Sequence, residues 1–128
     1  ADIAKYLIKK LDIATPGIHT PVRMLSGGNV QKVLLGREIE AGRDVLIVSY
    51  PVRGLDINSS YMIYNLLDEE RKRGTAIIFV GEDLDVLMAL SDRIMVMADH
   101  RIAGITDART VTKDYLGSLM TDTKGLVI

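Results

Sequence analysis

Two short apolar runs, VLIV (Val45–Val48) and AIIFV (Ala76–Val80), stand on either side of a helix-length segment. Runs of that length and character suit buried parallel strands rather than strands that alternate between core and water. The segment between them, NSSYMIYNLLDEERKRG (58–74), is punctuated as a helix. Asn58 or Ser59 can cap its start, and Arg71, Lys72, Arg73 and Gly74 suit its end. Parallel neighbours need a crossover of this kind, so the chain reads as α/β.

The same pattern extends in both directions. Downstream, EDLDVLMALS reads as a short helix, DRIMVMA as a third strand, RIAGIT as its hairpin partner and TKDYLGSLM as a terminal helix. Upstream, DIAKYLIKKLDI places Ile3, Tyr6, Leu7 and Leu11 on one helical face. ATPGIHTPVR, with Pro16, Gly17 and Pro21, reads as a loop. SGGNVQKVLLGREIEAG then reads as a helix capped by Ser26 and ended by Gly42, with Val30, Val33, Leu34 and Arg37 at helical spacing. The expected sheet is mostly parallel and covered by helices on both faces.

Composition removes several classes of function. With 128 residues, 48% apolar and 26% charged, the chain can build a real core. A net charge of −1 gives no electrostatic case for nucleic acid or an anionic membrane. There is no cysteine, which excludes disulfides and thiolate metal sites. No apolar run approaches the ~20 residues needed to span a bilayer, and no signal peptide is seen. The chain opens at Ala1 in mid-pattern, so a piece of a longer protein is expected.

The stretch richest in chemistry is LSGGNVQK, Leu25 to Lys32. Two glycines at a helix mouth let backbone come close to a ligand. Free N–H groups of the first turn and the helix dipole favour an anion. Ser26 adds a hydroxyl, Asn29 an amide, and Gln31 and Lys32 stand one turn in. Such a surface suits a terminal phosphate, and a plain capped helix with a flexible Gly-Gly entry is the alternative.

With its neighbours, this stretch resembles a known family. LSGGN–QK is similar to the signature motif of ATP-binding cassette (ABC) ATPases. VLIVSYPVRGLD stands where that family has its Walker B strand and D-loop, and AIIFVGEDLDVL where it has its switch region. SDRIMVMADHRIAG resembles the strand-and-hairpin ending. DIATPGIHTPVRMLSGGNVQKVLLGREI and VTKDYLGSLM resemble the second, C-terminal cassette of the fused ATPases of simple-sugar importers, nearest the branch thought to import nucleosides. The resemblance implies a partial P-loop NTPase fold. Residues 1–42 would be the remainder of the helical subdomain, and residues 43–128 the C-terminal half of the nucleotide-binding core. The phosphate-cradling G-x-x-x-x-G-K-[ST] loop is absent from the chain and is expected upstream of Ala1.

Three positions depart from the family pattern. Ser49 stands where the metal-supporting aspartate is expected, and it carries no charge to support Mg²⁺. Tyr50 stands where the catalytic glutamate is expected, and a phenol of pKa ~10 is a poor base at neutral pH. Glu82 stands where many cassettes have the switch histidine, and its charge would repel a γ-phosphate. No residue of this half-site is then expected to be catalytic, and no metal is expected on it.

The signature half matches the family, where it acts in trans. The resemblance implies that Ser26, Gly27, Gly28, Asn29 and Gln31 meet ATP held by a partner cassette. Asp56 matches the D-loop aspartate at the same interface. The implied cofactors of the intact assembly are ATP and Mg²⁺, with none expected on this piece alone. The implied partners are the first cassette of the same subunit or a second ATPase subunit, two permease subunits and, indirectly, a substrate-binding protein. The implied place is the cytoplasmic face of the cell membrane, and the intact subunit would hydrolyse ATP as a transport enzyme. A regulatory or scaffolding ABC-like module, or an unrelated α/β binding domain, are the rival readings.

Other residues have plainer explanations. Arg53 could reach a dimer interface or simply lie in solvent. His19 and His100 stand isolated. Asp83 and Asp85 suit an acidic helix start. Met88, Met95 and Met97 read as core filling, and DEERKRG as a solvated helix end. Loss of the P-loop strand would leave a sheet edge able to pair with a second copy.

Overall fold

Residues 1–121, which the computed structural model describes, form five α-helices and four strands. They belong to two units, Ala1–Val80 and Gly81–Ile128, each with its own apolar cluster. The last residues of the 43–128 segment, 122–128, lie outside the described residues.

The first unit holds helix α1 (Asp2–Lys10), a 3₁₀ turn at Val22–Met24, helix α2 (Gly27–Glu40), strand β1 (Val45–Ser49), helix α3 (Ile57–Lys72) and strand β2 (Ala76–Val80). β1 and β2 pair in parallel, from Val45 beside Ala76 to Ser49 beside Val80. α3 is the crossover between them, as the alternation of apolar runs predicts. Its Ile63, Leu66 and Leu67 recur at helical spacing and join Leu46 and Val48 of β1 in one core. Gly42 and Gly74, just past α2 and α3, take positive φ of 64° and 100°, the left-handed exit glycine allows most cheaply.

The sheet is covered on one face only. Successive strand residues point to opposite sides, so Leu46 and Val48 face α3. Val45, Ile47, Ile78 and Val80 are 53%, 66%, 50% and 42% exposed on the other side. This corrects the expectation of helices on both faces.

α1 buries less of its predicted stripe than expected. Leu7 and Leu11 enter the core, while Ile3 and Tyr6 stay exposed. The contact with α2 explains this. A Cβ on Gly36 would lie 2.7 Å from Leu11 Cδ1 and 2.9 Å from Leu7 Cδ2, so two leucines dock where α2 has no side chain. That docking turns Lys32, Leu35 and Gly36 inward and leaves Leu34 exposed.

The second unit holds helix α4 (Leu84–Leu90), the antiparallel strands β3 (Arg93–Ala98) and β4 (Arg101–Asp107), and helix α5 (Lys113–Met120). Asp99 and His100 both have positive φ, 49° and 61°, as a two-residue hairpin turn of matching twist requires. The third strand therefore pairs with its hairpin partner, and both sheets have two strands. Ile94, Val96, Ala103, Ala108, Leu116 and Leu119 form the core, with Met88 packed against it. Met95 and Met97 are exposed, not core filling, because strand alternation gives the inward positions to Ile94 and Val96. Asp83 caps α4 by accepting from the Asp85 and Val86 amides. Asp85 takes an ion pair from Lys113 at 2.8 Å. Both acidic groups are thereby engaged as a helix start.

Candidate functional site

The first turn of α2 is built by Ser26. Its backbone is extended (φ −63°, ψ 157°), and its Oγ accepts the Asn29 N–H at 3.4 Å and the Asn29 Nδ2–H at 2.8 Å. Asn29 Oδ1 in turn accepts the Ala14 N–H at 2.9 Å. No acidic side chain stands in the first turn. The positive end of the dipole is therefore unopposed there, and first-turn amides have no partner within the helix. Around Gly27 there is open space where a side chain would stand, while Gly28 faces Leu55, whose Cδ2 would be 3.2 Å from a Cβ.

Two residues of the motif point elsewhere. Gln31 lines a groove with Glu38, Arg43, Ile47 and Ser49, on the β1 side of α2. Lys32 is buried, and its Nζ donates to the Asp12 carbonyl at 3.0 Å. The helical spacing of Lys32, Leu35 and Gly36 was the sequence signal that a lysine sits on the inward face.

At the end of β1 the chain turns sharply. The Tyr50 N–H donates to the Val80 carbonyl at 2.8 Å, which continues the β1–β2 ladder. Tyr50 has φ 49°, a conformation that is costly for a bulky side chain. The Arg53 guanidinium lies 4.6 Å from the centre of its ring, and the Arg53 N–H donates to the Tyr50 carbonyl. No local pattern of residues signals this stack. Ser49 is exposed beside it. A hydroxyl and a phenol stacked on a cation offer no carboxylate to Mg²⁺, so the end of β1 does not fit the metal.

Asp56 closes the turn. Its Oδ1 accepts the Ser59 N–H at 2.8 Å and its Oδ2 the Ser59 hydroxyl at 3.1 Å. Asp56, rather than Asn58 or Ser59, is therefore the cap of α3. These bonds, the Ser59 amide first, hold its carboxyl below the usual range, with a smaller contribution from the Lys32 charge. Glu82 belongs to the second unit, exposed and one residue before the α4 cap. His19 and His100 are exposed. Among the described residues no group of three His, Asp or Glu could hold a metal ion, and no helix is long and apolar enough to cross a membrane.

No family model matches the chain. Individual relatives do. The galactose/methyl galactoside import ATP-binding protein MglA of Clostridium tetani is 40% identical over 88% of this chain. The guanosine import ATP-binding protein NupO of Bacillus subtilis is 40% identical over 91%, and the ribose import ATP-binding protein RbsA of the same organism 41% over 94%. The chain spans only 22%, 23% and 24% of these relatives' lengths. Among solved structures, a dimeric bacterial ABC transporter cassette superposes with a TM-score of 0.73 at 21% identity. The alignment covers 86% of this chain and 47% of that one. A dimeric cassette in a post-hydrolysis state, bound to ADP and Pi, gives 0.74 at the same identity and coverage. The chain is thus a homologue of the ATP-binding proteins of sugar and nucleoside importers, and its fold is that of part of an ABC cassette.

Proposed function

We propose that this chain is the C-terminal part of the second cassette of an importer's ATP-binding subunit, and that it serves ATP held by another cassette. Relatives that energise import of galactosides, guanosine and ribose support a nucleoside or simple sugar as the cargo class. The observation that carries the reading is the first turn of α2. It is an unopposed helix N-terminus with an exposed Ser26, open space at Gly27 and no acidic side chain.

In this reading Ser26, Gly27, Gly28 and Asn29 form the face turned to the partner's nucleotide, while Gln31, one turn in, lines the groove on the β1 side of α2. Asp56 holds the neighbouring loop at the same interface. A bound ATP supplies the transferable phosphoryl group, and this chain's contribution is to place hydroxyl and amide donors around its terminal phosphate. At the end of its own β1, Ser49 and Tyr50 leave neither a metal ligand nor a base, so nucleotide there is held weakly or without turnover; in the second unit Glu82 takes the sequence position of the switch histidine. The partners are the first cassette, or a second ATPase subunit, and two permease subunits that place the assembly on the cytoplasmic face of the membrane. A substrate-binding protein completes the system indirectly. The free edges of β1 and β2 can also pair with a second copy of this piece.

Replacing Ser26 with Arg in the full-length subunit tests the reading. Steady-state ATP hydrolysis is expected to fall at least a hundredfold. Hydrolysis at the unsubstituted rate would overturn donation in trans.

A further inference from the structure

Lys32 is only 7% exposed, yet it is the sole lysine among the buried polar residues of the described chain. Burying an ammonium is expensive unless its donors are used. Its Nζ donates a hydrogen bond twenty residues back, to the carbonyl of Asp12, just beyond α1. Asp12 has φ 49°, a left-handed turn that aims the following residues across the start of α2. Two residues on, the Ala14 N–H meets Asn29 Oδ1, and the amide of that same Asn29 side chain holds Ser26 Oγ. A loop pinned at Asp12 by Lys32 thus orients Asn29, and Asn29 orients the Ser26 hydroxyl.

A second line of contact starts from the same helix. Gly28 packs on Leu55 and the Lys32 charge acts on Asp56, so the loop ending in Asp56 rests on the face of α2 that carries Lys32.

We infer that Lys32 and the Asn29 side chain are positioning residues that clamp the Asp12–Ala14 turn to α2 and thereby fix the direction of the Ser26 hydroxyl. This rests on the proposed role of Ser26 toward a partner's nucleotide. It moves the Asn29 side chain from ligand contact to support. Asn29 Oδ1 already faces Ala14 and one of the Nδ2 hydrogens faces Ser26, and these two bonds fix the side chain in place. A lysine used in this way binds no ligand itself. Its function is to choose one rotamer and one loop path out of several.

The test uses the full-length subunit with Lys32→Met, which keeps the length and apolar stem but removes the donor, and Lys32→Arg, which keeps a cationic donor. Two readouts are taken: steady-state ATP hydrolysis, and amide hydrogen exchange over residues 12–30. Lys32→Met is expected to lower kcat about tenfold with KM for ATP within twofold, and to speed exchange at Ala14 and Asn29 at least tenfold. Lys32→Arg is expected to recover most of both. Asn29→Leu, which removes both side-chain bonds at similar size, is expected to reproduce the Lys32→Met pattern if the lysine variant does not fold. Unchanged exchange at Ala14 in Lys32→Met or Asn29→Leu overturns the clamp, whatever the turnover. Equal losses in Lys32→Met and Lys32→Arg also overturn it, because they mark a purely steric role. An inactive Ser26→Arg beside a fully active Lys32→Met refutes the clamp alone. An active Ser26→Arg refutes donation in trans and leaves the clamp to the exchange result.

Discussion

Asp56 presents its carboxylate to the Ser59 amide and hydroxyl, and both bonds are stronger to the ionised form. Its folded pKa therefore lies below the 3.8 of an unperturbed aspartate. A depressed acid contributes stability that is fully present above the unfolded value and is lost as pH falls through the folded one. Asp56→Ala should accordingly lower the thermal midpoint at pH 7, and the difference from the parent should shrink progressively below pH ~4. Melting curves across pH 2–7 read this directly, and a difference that grows on acidification would contradict the assignment. At the same scale, Thr112 caps α5 by accepting from the Tyr115 amide. Thr112→Ala should cost about 1 kcal/mol in denaturant titration, and no measurable change would show that the cap carries no weight.

At the scale of elements, the contact of α1 with α2 depends on the missing side chain at Gly36. Gly36→Val would push into Leu7 and Leu11, both buried, and overpacking of this kind costs about 1–3 kcal/mol. Ile63, 1% exposed, is the central knob of α3 against the sheet. Ile63→Ala should cost about 2–5 kcal/mol, and a loss under 1 kcal/mol would mean that α3 is not the wall of the core described here. These elements were largely legible beforehand, because apolar runs, caps and terminal glycines act locally. The Ser26 cap and the exits at Gly42 and Gly74 are such cases. What stayed hidden depends on partners distant in sequence. The exposure of Tyr6, Met95 and Met97 follows from which neighbour each face meets. The capping role of Asp56 was masked because a motif offered that residue another use. The Tyr50–Arg53 stack and the Lys32–Asp12 bond are set by tertiary geometry, and only the inward spacing of Lys32 hinted at either. The candidate site was legible as a motif, but its internal wiring was not.

For the molecule as a whole, the open side of the β1–β2 sheet is the dominant feature. Val45, Ile47, Ile78 and Val80 form an exposed apolar face, and the outer edges of β1 and β2 are unpaired among the described residues. Faces and edges of this type associate. The isolated 128-residue chain should show a light-scattering mass that rises with concentration, and Ile47→Lys with Ile78→Lys should suppress the rise. A constant monomer mass in the parent would contradict self-association.

We propose an asymmetry: this chain lends its signature turn to another cassette's nucleotide, while its own strand end lacks the groups for chemistry. Its most direct test is one ATP-hydrolysis measurement on the intact subunit, comparing Ser26→Arg with the double variant Ser49→Ala, Tyr50→Phe. Ser26→Arg is expected to abolish turnover, and the double variant to hydrolyse ATP within twofold of the parent. Turnover that survives Ser26→Arg and collapses in the double variant would contradict it.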